Sequence, residues 1–94
     1  MKFGFFHAPW CGVCHEKAPV ARRLADELGL PFEVVDLEDA EGERLASERR
    51  IQTVPTLALI DDERVPFRLV GRMITPENVR HMVAMTRREP RGAP

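Results

Sequence analysis

Apolar and polar positions along the chain follow two periods that alternate with each other. Phe3, Phe5 and Phe6 make residues 2–6 a short apolar run, the mark of a buried strand. From Cys11 to Leu28 the period is helical. Ala21, Leu24, Ala25 and Leu28 recur at i, i+3, i+4 and i+7, while Arg22, Arg23, Asp26 and Glu27 occupy the other face. Gly29 and Pro31 predict the stop. Residues 32–36 (Phe-Glu-Val-Val-Asp) return to a strand, and residues 40–50 predict a charged second helix with a thin inner face of Leu45 and Ala46. Thr56 to Ile60 is a third strand. Asp61 to Arg64 is a polar turn, and Val65 to Val70 a fourth strand that closes a hairpin. Pro66 has no N–H to give a neighbour, which places this strand at a sheet edge. Thr75-Pro76-Glu77 combines an N-cap, a first-position proline and a first-turn acid. It opens a last helix with Val79, Met82 and Val83 inward.

The order β-α-β-α-β-β-α constrains the fold. Strands one and two are joined through a helix, so they should run parallel with a right-handed crossover. The pattern thus gives an α/β domain of four strands and three helices. The 94 residues suffice for one domain. Residues 1–88 are assigned to it, and 89–94, with two prolines and a glycine, to a flexible tail. A hydrophobic content of 44% fits a globular protein, and a net charge of -1 gives no footprint for nucleic acid or an anionic membrane. The apolar run after Met1-Lys2 is too short for a secretory leader, and no stretch reaches membrane-spanning length. A cytosolic location and a monomer are expected, in a compartment that keeps thiols reduced.

Chemistry concentrates in Trp10-Cys11-Gly12-Val13-Cys14, at the junction of the first strand and helix, which holds both cysteines of the chain. A thiol reacts as the thiolate, and an ordinary cysteine, with a pKa of about 8.5, is only slightly ionised at neutral pH. Cys11 falls where the free N–H groups of Val13 and Cys14, and the positive end of the helix, favour its anion. Cys14, one turn further in, should be less exposed and higher in pKa. Short flanks at Gly12 and Val13 should leave the Cys11 sulfur open. Cys11 then suits the attacking role and Cys14 the resolving one. Two other chemistries share the residues. Cys11-Gly12-Val13-Cys14-His15 spells the c-type haem attachment pattern, with Met73, Met82 or Met85 as axial candidates. That reading needs a small helical cytochrome and export. A structural zinc site needs a second ligand pair, and His7, His15 and His81 are widely spaced. His15 and His81 are read as helix-surface residues. No bound cofactor or metal is expected.

These residues resemble the thioredoxin family. Its Trp-Cys-Gly-Pro-Cys motif is matched by Trp10 to Cys14, with Val13 in place of proline. Its cis-proline segment is matched by Thr53-Val54-Pro55-Thr56. The proline of its active-site helix is matched by Pro19, which should bend the helix at the carbonyl of His15, and the glycine after its last strand by Gly71. The resemblance implies the thioredoxin fold in its minimal β-α-β-α-β-β-α form, a four-stranded mixed sheet in the order 2-1-3-4 flanked by three helices, and a dithiol–disulfide oxidoreductase that reduces protein disulfides. Cys11 is then the nucleophile and Cys14 the resolver. Trp10, Val54, Pro55 and Gly71 form the substrate groove, supported by Gly12, Val13, Pro19 and Thr53. It also implies a disulfide-containing protein as substrate and a thioredoxin reductase or small thiols as the source of electrons. Two departures stand out. The extra strand and helix that open longer thioredoxins are not in this sequence, whose size is nearer the small glutaredoxin-like proteins. Phe5 stands where thioredoxins keep a buried aspartate, so the Cys14 proton must leave through water, His7 or Glu16. A glutathione-dependent, glutaredoxin-like enzyme is the alternative, with Arg72 as a carboxylate binder. A further one is a non-catalytic binding module of the same fold.

Overall fold

The computed structural model describes residues 1–88; the expected tail at 89–94 lies outside the described residues. Strand β1 (Lys2–His7) leads into helix α1 (Gly12–Leu28), strand β2 (Phe32–Asp36) and helix α2 (Ala40–Glu48). Strands β3 (Thr56–Asp61) and β4 (Arg64–Val70), a 3-10 turn (Gly71–Met73) and helix α3 (Pro76–Arg88) complete the order. The sheet runs β2-β1-β3-β4, the order the family resemblance implies; β1 is parallel to β2 and β3–β4 is an antiparallel hairpin, as the pattern predicts, and β1 pairs antiparallel with β3. Pro66 accordingly lies in an edge strand.

The boundaries shift by a residue or two from the sequence expectation. β1 runs on through His7, because the His7 carbonyl accepts Leu37 N–H beyond β2. α2 ends at Glu48, since Arg50 turns into positive φ and its N–H reaches back to the Ser47 carbonyl. The 3-10 turn at Gly71–Met73 is new; Gly71 at φ 58 reverses the chain there. The end of α1 matches its sequence signal. Gly29, at φ 69, closes the helix with bonds to Ala25 and Asp26 carbonyls, and Leu30 N–H also returns to Ala25. Thr75 Oγ1 accepts Asn78 N–H at 3.2 Å, the cap predicted for α3.

Apolar side chains fill both faces of the sheet. Phe3, Phe5, Leu57 and Leu59 meet Ala21, Leu24 and Ala25 of α1 and Val79, Met82 and Val83 of α3. On the other face Phe6, Val35, Ala58 and Ile60 meet Ala46 of α2 and Ile51. A mixed sheet of this kind is not the small helical cytochrome that the haem reading requires. No helix among the described residues is long and apolar enough to cross a membrane.

Candidate active site

The site lies where β1 ends and α1 begins. The chain turns sharply after Ala8: Cys11 N–H returns to the Ala8 carbonyl at 3.1 Å, with Pro9 and Trp10 at the corner. Cys11 is then the N-cap of α1, in extended backbone at φ -91 and ψ 108. Its side chain performs the capping. Cys14 N–H donates to Cys11 Sγ at 3.1 Å, so one of the free N–H groups of the first turn is spent on the sulfur. The expected donation from Cys14 is therefore present. Cys11 and Cys14 are joined as a disulfide, with Cα atoms 5.2 Å apart, within the ordinary range for such a bond.

The second wall comes from the segment before β3. Val54–Pro55 is a cis peptide. Val54 and Val13 pack against a small buried cluster of Ala8, Cys11 and Cys14. Pro55 is buried, and its carbonyl accepts Gly71 N–H at 2.9 Å, which ties the segment to the turn after β4. Thr56 Oγ1 donates to the Thr53 carbonyl at 2.6 Å and tightens the approach to Pro55 from the other side. Trp10 is 72% exposed beside this cluster. A Cβ at Gly12 would meet nothing within 4 Å, so that flank is open.

Most of the residues singled out in the sequence are thus brought together: Trp10, Cys11, Gly12, Val13, Cys14, Thr53, Val54, Pro55 and Gly71. Pro19 is not; it sits on the exposed side of α1, more than a turn beyond Cys14. Cys14, at 2% exposure, is the more enclosed thiol, as expected, but Cys11 keeps only 7%. The cover comes from Ala8, Val13 and Val54 closing around the pair. Two contacts were not foreseen. His15 Nε2 lies 3.0 Å from the Pro9 carbonyl. Arg72, next to Gly71, reaches Glu16 of α1 at 3.3 Å and links the two sides of the site across the surface. Both join residues far enough apart in sequence that no local pattern announces them.

A family model described as Thioredoxin matches residues 5–84. The chain belongs to the thioredoxin family. It is 35% identical over 66 residues to the thioredoxin of Bacillus subtilis, which covers 70% of this chain and 64% of that protein. With the thioredoxin of Haemophilus influenzae it shares 32% over 68 residues, covering 72% and 64%. The chain therefore spans less than two thirds of the length of these relatives. The reduced thioredoxin pre-protein of Schistosoma mansoni superposes with a TM-score of 0.74 at 26% identity, covering 88% of this chain and 75% of that one. Thioredoxin 1 of Thermosipho africanus has a TM-score of 0.75 at 21% identity, covering 94% and 100%, a likeness of fold. The motif carries Val13 between its cysteines, and Phe5, where the family resemblance implies an aspartate, is fully packed in the core.

Proposed function

We propose that this protein is a dithiol–disulfide oxidoreductase that reduces disulfides in protein substrates. The observation that carries the reading is the donation of Cys14 N–H to Cys11 Sγ at the start of α1. A sulfur held by a helix N-terminus is stabilised as thiolate and as leaving group, the property a reversible dithiol needs. In the reduced protein the Cys11 thiolate attacks one sulfur of a substrate disulfide. The substrate S–S bond breaks, its second sulfur leaves as thiolate and takes a proton from solvent, and a mixed disulfide forms. Cys14 then loses its proton and attacks Cys11 Sγ. The substrate departs fully reduced, and the Cys11–Cys14 disulfide holds the two electron equivalents' worth of oxidation.

Trp10 supplies a flat apolar contact beside the sulfur, as aromatic residues do at binding surfaces. Val54 and Pro55 form the wall along which an extended substrate segment lies, pairing with the Val54 backbone. Gly71 borders that wall and holds it through Pro55. Gly12, Val13 and Thr53 support the frame. The protein acts as a monomer in the cytosol and is recharged by a thioredoxin reductase or small thiols. The glutathione-dependent alternative is less well supported, because Arg72, the cation placed to hold a glutathione carboxylate, is already engaged by Glu16.

The test is a redox titration of the two thiols against dithiol/disulfide buffers, read by mass shift after alkylation. One two-electron transition near about −270 mV marks a reductant; one near about −120 mV marks an oxidant and overturns the direction. No reversible transition overturns the function. In the same assay system Cys14→Ser should accumulate a stable mixed disulfide with its substrate, and Cys11→Ser should form none.

A further inference from the structure

We infer that His15 is a positioning residue that fixes Trp10 beside the dithiol by holding the Pro9–Trp10 peptide plane. A carbonyl oxygen only accepts, so the 3.0 Å contact requires His15 Nε2 to donate to the Pro9 carbonyl. That carbonyl belongs to the central peptide of the Ala8–Cys11 turn. The turn's own bond, Cys11 N–H to Ala8 carbonyl, secures its ends but leaves the central plane free to rotate. The two common turn types differ by a flip of that plane, which carries the second corner residue between negative and positive φ. Trp10 is on the negative side, since Arg50 and Asp62 are the non-glycine residues with positive φ among those described.

Trp10 has little packing to hold it, being 72% exposed. The turn backbone sets the direction of its Cα–Cβ bond, and so the space its rotamers sweep, and the His15 ring is the side chain that grips that backbone. The His15 N–H to Cys11 carbonyl bond at 3.3 Å is the first backbone bond of α1, which any residue here would make; the grip on the turn comes from the ring alone. This gives the histidine of the Cys-x-x-Cys-His pattern a role that involves no haem.

Trp10 is the only tryptophan in the chain, so its fluorescence reports this contact directly. The experiment compares the reduced wild type with His15→Ala and His15→Gln. It reads time-resolved Trp10 anisotropy, kcat/KM for reduction of insulin disulfides, and the Cys11 alkylation rate with iodoacetamide. Glutamine places an amide N–H at a similar reach from the backbone. His15→Ala should loosen Trp10 and lower kcat/KM by about 2- to 10-fold, the worth of one modest hydrogen bond. Cys11 alkylation should stay at the wild-type rate, and His15→Gln should restore both anisotropy and kcat/KM. The inference is overturned if His15→Ala leaves the anisotropy unchanged. It is also overturned if Cys11 alkylation changes in step with kcat/KM, or if a folded His15→Gln fails to restore the anisotropy. The kinetic part rests on the disulfide-reductase reading. The anisotropy does not, so a wild type inactive on insulin would refute that reading while Trp10 still decides the role of His15.

Discussion

The two thiols of one short motif are made unequal by their positions on α1. Cys11 caps the helix and receives the Cys14 N–H; Cys14 lies inside the first turn, almost fully enclosed. The resolving step proposed for Cys14 needs its thiolate, and the strand carries the apolar Phe5 where the family resemblance implies an acid. Phe5 is buried, stacked within 6.1 Å of the His7 ring and 6.0 Å of Phe32. Release of a reduced substrate from the mixed disulfide should therefore accelerate as pH rises from 6 to 8, because the thiolate fraction of Cys14 then rises. Stopped-flow measurement of release after mixed-disulfide formation checks this; a rate flat and fast across that range would contradict it. The cysteines, the tryptophan and the prolines were legible at this scale because their chemistry is intrinsic to the side chain. His15 and Arg72 were not. What they do depends on partners, Pro9 and Glu16, that only the folded backbone brings within reach.

Elements meet closely at Gly42, where one residue decides the packing, and are joined at the surface by an ion pair. Gly42 of α2 faces the end of β2 so closely that a Cβ there would come within 1.8 Å of the Asp36 carbonyl oxygen. Backbone cannot yield as a flexible side chain does, so Gly42→Ala must push α2 away from the sheet. The expected loss is at least about 1–3 kcal/mol, the usual cost of overpacking, read from the urea midpoint. The sequence predicted the helix here but counted only Leu45 and Ala46 as its inner face; the close approach of Gly42 has no sequence signal. On the opposite side, Arg80 of α3 grips Glu27 of α1 through two bonds of 2.7 and 2.9 Å. The hydrogen bond from Arg80 lowers the Glu27 pKa from its ordinary value. A carboxylate lowered by folding contributes stability above its unfolded pKa of about 4.3 and loses it as pH falls through the folded value. The urea midpoint of Glu27→Gln should thus fall slightly below wild type at neutral pH, and the difference should vanish in acid beneath the carboxylate range. Added salt should also shrink it, since both groups are exposed.

For the molecule as a whole, one sheet serves two cores. Phe6 fills the α2 face while Phe3 and Phe5 fill the α1/α3 face, on adjacent residues of the same central strand. Loss of either core should therefore unfold the other. Phe6→Ala should cost about 3–5 kcal/mol, a large part of the ~5–15 kcal/mol that holds a domain of this size. Far- and near-ultraviolet circular dichroism should follow the same single urea transition; separate transitions would show that the two faces are independent. Hydrophobic periodicity by itself determined the element order, the parallel β1–β2 pair and the edge position of β4. These follow from local pattern, the length of the crossover and the missing N–H of Pro66. The sequence by itself also determined the dithiol, because Cys11 and Cys14 are one helical turn apart however the rest of the chain folds. Only the tertiary structure decided what surrounds them. The Val54–Pro55 wall, the Gly71 tie, the Glu16–Arg72 bridge and the part of the Cys11 cover that Val54 supplies are contacts between segments distant in the chain. Such contacts have no local period, and they exist because the sheet brings the end of β1, the start of β3 and the turn after β4 to the same end of its strands.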